Sequence, residues 1–296
     1  MSQRTIIRID GERNSEPSKH EVLSRVHSVS LNFRNIAVAT SQYPFSVKHR
    51  VGEGVKKFTP GDRGLATFEL ANLYGQQANW ENGQGAPTDG VLREYISIPA
   101  ASVVKIPKDS PQSFSEWSAL VCTGVTVWNA LYGNMPLRPG QNVLCLGTRG
   151  VSITGVILAK AAGATTIIHL VQRREAPDER RLRYHRRNLK SVGMGGNVLV
   201  IGFLSQAKEM PDVASLALAK GAVVRGITVG STQLLEELTR FVAQKGLRLP
   251  VEKEFRFTQE EAVKAYEYMA SGSHIGKVCI KIVDCMNVAC RSGSFL

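Results

Sequence analysis

Gly147, Arg149 and Ser152 occupy the three positions at which a dinucleotide-binding turn, G-x-G-x-x-G, carries its glycines. The chemistry of such a turn is anion binding. Free N–H groups and the positive end of a helix dipole meet a pyrophosphate at the helix N-terminus. Here Gly147 matches and the other two positions do not. The middle glycine normally lets the backbone approach the pyrophosphate. Arg149 is expected to fill that space, although a guanidinium can itself bond a phosphate. Gly150 and Val151 lead into the helix and complete the candidate cradle with Gly147 and Arg149. The alternative is a βαβ unit whose glycines serve the turn alone.

The elements needed to position this turn are legible around it. Residues 142–146, NVLCL, form an apolar run long enough for a buried strand. Residues 151–162 carry Ile153, Val156, Ile157 and Leu158 at near-helical spacing, and Gly163 ends the segment. Residues 165–171 are β-branched and apolar, as expected of a second parallel strand. A basic tip, Arg173-Arg174, follows.

Composition bounds the rest. The chain has 296 residues, 43% of them hydrophobic, enough for one large or two ordinary domains with a core. No run reaches the roughly 18 apolar residues of a membrane helix. The opening MSQRTIIRIDGER has no apolar signal-peptide core. Five cysteines without a C-x-x-C pair suit a reducing compartment, so a cytoplasmic protein is expected. His20, His27, His49, His169, His185 and His274 show no metal-ligand spacing. No G-x-S-x-G elbow supports a hydrolase.

Seven ordered segments carry a more specific message: EVLSRVHSVSLNFRNI (21–36), GEGVKKFTPGDRG (52–64), TDGVLREYISIPAASVVKIP (88–107), ALVCTGVTVWNALYG (119–133), NLKSVGMGGNVLVIGFLS (188–205), KGAVVRGITVGS (220–231) and EEAVKAYEYMASGSHIGKVCIKI (260–282). Together they resemble the medium-chain dehydrogenase/reductase superfamily, on its zinc-independent, quinone-oxidoreductase-like side, and its fungal zinc-type alcohol dehydrogenase-like members. The resemblance implies an α/β fold. A GroES-like β-rich domain (1–113 and 246–296) would accompany a truncated Rossmann domain (114–245), a doubly wound parallel sheet.

That sheet is expected to be incomplete. In the family, two helix–strand steps separate the basic tip from the helix matched at 188–192 and the strand at 198–202. Here residues 180–188 bridge the span directly. On the order of 50 residues are missing, if a βαβ unit takes 30 or more. In the usual 3-2-1-4-5-6 strand order, the fourth strand lies beside the first. Its loss should open the sheet's centre or force another strand across. A second gap lies at 47–51. An internally shortened relative and an imperfect gene model both account for these gaps. The tail 284–296, with Cys285 and Cys290, has no family counterpart.

The resemblance also implies the chemistry, which is hydride transfer from NADP(H) to a small enone, quinone or carbonyl substrate. It nominates Asn32, in S-L-N-F-R, as a donor to the substrate carbonyl, against a turn asparagine as the bland reading. Thr126 would contact the nicotinamide carboxamide, or be merely a β-branched helix residue. Gly202, Phe203 and Leu204 would line the nicotinamide, and Gly276-Lys277 would return the chain to the cleft. Lys277 would touch cofactor phosphate or, as a lone surface lysine, be solvated. Tyr43 is a weaker candidate donor.

Arg173 and Arg174 lie where an arginine favours the 2′-phosphate of NADP over NAD. They belong to the basic stretch 172–190, which holds much of the net charge of +12. A solvated linker and a nucleic-acid arm are the competing readings, the latter without any accompanying nucleic-acid fold motif.

Zinc is not expected. Alcohol-dehydrogenase relatives place a ligand cysteine where this chain has Asn32, and of the ligand set Cys122 alone is retained. Residues 71–87 replace the four-cysteine structural lobe. A homodimer through the strand after Gly221, AVVRGITVG, is in keeping with the family. The rival from another class is a non-catalytic relative acting through protein contacts.

Overall fold

The computed structural model describes residues 20–32, 35, 58, 61–170, 191–201 and 212–282. Its β-rich part is built from both ends of the described chain. Strand β1 (Glu21–Arg25) pairs antiparallel with β4 (Tyr95–Pro99), and β3 (Gly64–Ala66) with β5 (Val103–Lys105). Strand β11 (Lys277–Lys281) lies between β10 (Val251–Arg256), parallel to it, and β2 (Ser28–Ser30), antiparallel. The register Cys279↔Ser30 brings the end of the chain back against residues near its start. As the middle strand, β11 is covered on both faces, and Lys277, Val278, Cys279 and Ile280 are all buried. Leu31, Phe255, Ala262, Ala265 and Met269 pack with Val278 and Ile280 into one apolar cluster.

The helical part begins at α1 (Phe114–Ala119), continues through a π turn (Leu120–Gly124) and runs on as α2 (Val125–Tyr132). Trp117, Leu120, Val125 and Trp128 share a second core with Leu65, Val104 and Ile106 from the β-rich part. The same core receives Leu235, Leu238 and Val242 from α5 (Thr232–Gln244). These three lie at i, i+3 and i+7, one apolar stripe of an amphipathic helix.

The unit that carries the glycine turn forms as read. It comprises β6 (Asn142–Leu146), α3 (Gly150–Ala161) and β7 (Thr166–Leu170), with β6 and β7 parallel. Beyond it, β8 (Asn197–Ile201) pairs parallel with β9 (Val223–Ile227) across α4 (Val213–Lys220). Among the described residues, no hydrogen bond joins β6–β7 to β8–β9. These parallel strands stand, among the described residues, as two separate pairs. The break falls where the fourth strand of the 3-2-1-4-5-6 order would stand. Apolar side chains near it are left in solvent: Leu144 is 37% exposed, Ile201 36% and Val200 49%.

Helix α1 is tied to the chain entering β10 through one buried carboxylate. Glu116 accepts from the Ser113 N–H at 2.9 Å and from the Leu249 N–H at 3.0 Å. Arg248 adds two contacts, at 2.7 and 3.0 Å. Ser113 returns a capping-box bond by accepting from the Glu116 N–H at 3.2 Å. Burial alone would raise the Glu116 pKa, but Arg248 and the backbone donors outweigh it and hold the carboxyl below its ordinary value. Its stabilisation is therefore full above the unfolded-state pKa and is lost as pH falls through the folded one. Glu116→Gln should cost about 2 kcal/mol at pH 7. The one backbone donor left facing the new NH2 accounts for most of that, because glutamine keeps an oxygen for the other and the Arg248 ion pair is exposed and screened. Urea unfolding at pH 7, and again below the carboxylate range, measures it. The gap between variant and wild type should narrow in acid.

Candidate functional site

The glycine turn is shaped by backbone needs that its sequence states. Gly147 has φ of 94°, a left-handed conformation that glycine adopts without strain. The Ser152 hydroxyl donates to the Leu146 carbonyl and closes the turn onto the end of β6. Helix α3 then starts at Gly150, with Val151 in its first turn.

The structure docks this turn on the Gly276–Lys277 return. The Gly276 N–H donates to the Thr148 carbonyl at 3.3 Å, and Arg149 and Gly276 form an isolated parallel bridge. Gly276, with φ of 92°, admits no side chain, since a Cβ would lie 2.4 Å from the Pro250 carbonyl oxygen. Gly150 is crowded by a side chain instead of by backbone. A Cβ there would lie 2.4 Å from Cδ of Lys277.

Two expectations for side chains change. Arg149 does not fold over the glycine turn. Its guanidinium lies against Gly272, within 2.6 Å of where a Cβ would stand. Gly272 is the left-handed C-cap of α6 (Gln259–Ser271), and a helix C-terminus favours a cation. Lys277 is not a surface lysine. It is 3% exposed, and its stem runs along Gly150.

The Lys277 ammonium donates to the Leu31 carbonyl at 2.5 Å and to Asn32 Oδ1 at 2.6 Å. Burial pushes the Lys277 pKa down; the Cys122 and Cys279 thiols act in the opposite direction. The pairing also settles the orientation of the Asn32 carboxamide. An ammonium only donates, so the atom facing it is the oxygen. Asn32 Nδ2 gives one hydrogen to the Ser30 carbonyl at 3.2 Å. Among the described residues no acceptor takes the second. Asn32 is half-buried, and its backbone N–H donates to Asn35 Oδ1 at 2.7 Å. The arrangement is a fixed amide donor joined through a buried cation to the head of a helix.

Thr126 is buried in α2, and its hydroxyl donates to the Cys122 carbonyl at 2.7 Å, one helical turn back. Its proton is committed, so towards any further group it can act only as an acceptor. Arg173, Arg174, Gly202, Phe203, Leu204 and Tyr43 lie outside the described residues. The part that sequence reasoning missed is the contact between Gly150 and Lys277. The only signal for it was the G-K pair opening an otherwise apolar strand, which says that the lysine enters the interior.

Residues 163–280 match the family model described as zinc-binding dehydrogenase. A zinc-type alcohol dehydrogenase-like protein of Schizosaccharomyces pombe is 29% identical over 318 positions, covering 88% of this chain and 91% of the relative. That alignment is longer than the chain, so the relative carries residues this chain lacks. An acryloyl-coenzyme A reductase of Metallosphaera sedula is 23% identical, covering 90% of this chain and 94% of its own. A solved structure from Sinorhizobium meliloti superposes with a TM-score of 0.73 at 28% identity, covering 91% and 93% of the two chains. The chain return through β11, the glycine turn docked on it and these likenesses over about nine-tenths of the length support the medium-chain dehydrogenase/reductase superfamily, whose members are oxidoreductases that use nicotinamide cofactors.

Proposed function

We propose that the protein is an NADP(H)-dependent oxidoreductase that reduces a small enone, quinone or carbonyl compound without zinc. The observation that carries this reading is the Asn32 carboxamide, fixed by Lys277 and keeping one N–H for an oxygen atom outside the described chain. In a site closed to water, a fixed donor meets the negative charge that develops on a carbonyl oxygen as it is reduced. The name of the Metallosphaera relative, an acryloyl-thioester reductase, supports a conjugated carbonyl as substrate.

A nicotinamide cofactor would be held by the turn Gly147, Arg149, Gly150 and Val151, with Arg173 and Arg174 on the 2′-phosphate. Gly202, Phe203 and Leu204 would line its reactive ring, near Thr126, and Gly276 would border the turn. When bound, it supplies the hydride. The chain's own residues orient the acceptor. Asn32 bonds the oxygen, and Lys277 holds Asn32.

Two observations support the reading without zinc. Among the described residues, no three His, Cys, Asp or Glu side chains gather to hold a metal. The carboxamide at the ligand position already bonds an ammonium, whose charge opposes a second cation there.

We keep the division into 1–113 with 246–296, and 114–245, and a homodimer through β9, as parts of this proposal. No helix among the described residues is long and apolar enough to cross a membrane. The cytoplasm remains the proposed location.

One observation favours the rival, a non-catalytic interaction module: the split between β6–β7 and β8–β9. Cofactor titration separates the two. If Arg173 or Arg174 reads the 2′-phosphate, NADPH should quench protein fluorescence with at least about tenfold higher affinity than NADH, as expected for one charge-assisted contact. Equal affinities sink the arginine assignment. Binding of neither cofactor supports the module.

A further inference from the structure

We propose that Lys277 is a positioning residue, a strut whose stem rests on Gly150 at the head of α3 and whose Nζ holds the Asn32 oxygen, so that the remaining amide hydrogen is kept for a substrate oxygen. This rests on the reading of Asn32 as the carbonyl donor and gives it a mechanism of alignment.

Three observations converge. The Lys277 ammonium bonds two acceptors on one short segment, the Leu31 carbonyl and Asn32 Oδ1. The segment is fixed from the other side, because the Leu31 N–H donates to the Val278 carbonyl at 2.9 Å. The lysine stem runs through the space that the missing Gly150 side chain leaves, since Cδ and Cγ lie 2.4 and 3.1 Å from where a Gly150 Cβ would be. A buried lysine is an expensive way to fill space, and methionine would serve packing alone. What the amine contributes, together with the Ser30 carbonyl on Nδ2, is the choice of amide face. With no cation beside it, the carboxamide could turn over and present its oxygen, which repels a substrate carbonyl. Gly150 thereby serves two ends. It opens the helix whose N-terminus faces the glycine turn, and it leaves the channel through which Lys277 reaches Asn32. The turn and the donor are mechanically joined through a single side chain.

The test uses the full chain without cofactor, then with it. The Asn32 side-chain amide is observed by nitrogen-15 NMR in asparagine-labelled protein and assigned by its loss in Asn32→Asp. In Lys277→Met the two Nδ2 protons should shift and exchange with water on the order of tenfold faster, the loss of one charged hydrogen bond. The melting temperature should change little, because relief from burying an amine offsets the two acceptors, the Leu31 carbonyl and Asn32 Oδ1, that lose their donor. Gly150→Ala should move the same resonance with the amine still present. Lys277→Arg should not restore it, since the guanidinium is too broad for the channel beside Gly150.

With NADPH and a small enone, Lys277→Met should lower kcat about tenfold and leave the KM for NADPH within about twofold. An Asn32 resonance unmoved by Lys277→Met or by Gly150→Ala overturns the strut. So does a defect confined to NADPH affinity, which would make Lys277 a phosphate ligand. If the resonance responds as expected but wild type reduces no enone, quinone or aldehyde, the strut stands and the proposed reaction falls.

Discussion

Asn32→Asp lowers kcat for NADPH-dependent enone reduction by about a hundredfold to a thousandfold, the usual cost of removing one donor from an oxyanion site. The substitution is chosen because it keeps a partner for Lys277, at the cost of the bond to the Ser30 carbonyl. A carboxylate at this position still accepts from Lys277, now as an ion pair, and the Leu31 carbonyl keeps its own bond to the ammonium. What disappears is Nδ2, which in wild type donates to the Ser30 carbonyl and retains one further hydrogen. Asn32→Ala should lose as much activity but also stability, because Lys277 then faces only one acceptor. An unpaired charged donor in the interior costs about 1–3 kcal/mol. Steady-state kinetics with thermal melts distinguish the two variants. Asn32→Asp with turnover within about threefold of wild type removes Asn32 from the reaction.

The second large effect concerns the broken sheet. Inserting the missing helix–strand segment of a full-length relative between Arg187 and Asn188 should raise the melting temperature by about 10 °C. The gain comes from covering apolar side chains near the break. Leu144, Val200 and Ile201 are each more than a third exposed, and fully burying such a side chain contributes roughly 1.5–3 kcal/mol. The backbone edges of β6 and β8 contribute less than buried unpaired amides would, because these strands are partly open to water. A total near 3–4 kcal/mol corresponds to about 2–4 °C per kcal/mol for a chain of this size. The same open edges invite pairing between chains. Sedimentation of the native protein should therefore show concentration-dependent association that the insert suppresses. Equal melting temperatures and a monodisperse native chain would mean that the split sheet is accommodated at no cost.

Local order was readable where periodicity and punctuation agree. Strand β6 falls on the residues that the apolar run marks, and α3 is displaced by one residue from its reading, starting at Gly150 because the turn closes one position early. The break between β6 and β8 was readable from a missing motif. What the sequence hides is contact between distant segments. Lys277 and Asn32 are 245 positions apart, and no local spacing connects them. The alternative of a solvated Lys277 is excluded by its burial, which its charge alone would not suggest. The strand KVCIK has no polar alternation after its first residue until its last, which describes a strand buried on both faces. Arg149 was misread. Its position in the turn motif was given more weight than the negative end of α6, which only the fold brings within reach.

The central claim, carbonyl reduction by a fixed amide in place of a metal, is tested most directly by kcat/KM for NADPH-dependent enone reduction on protein dialysed against a strong chelator, with metal content measured on the same sample. The account predicts well under one zinc per chain and a kcat/KM unchanged by chelation or by added zinc. A stoichiometric zinc whose removal abolishes turnover, and whose return restores it, contradicts the account.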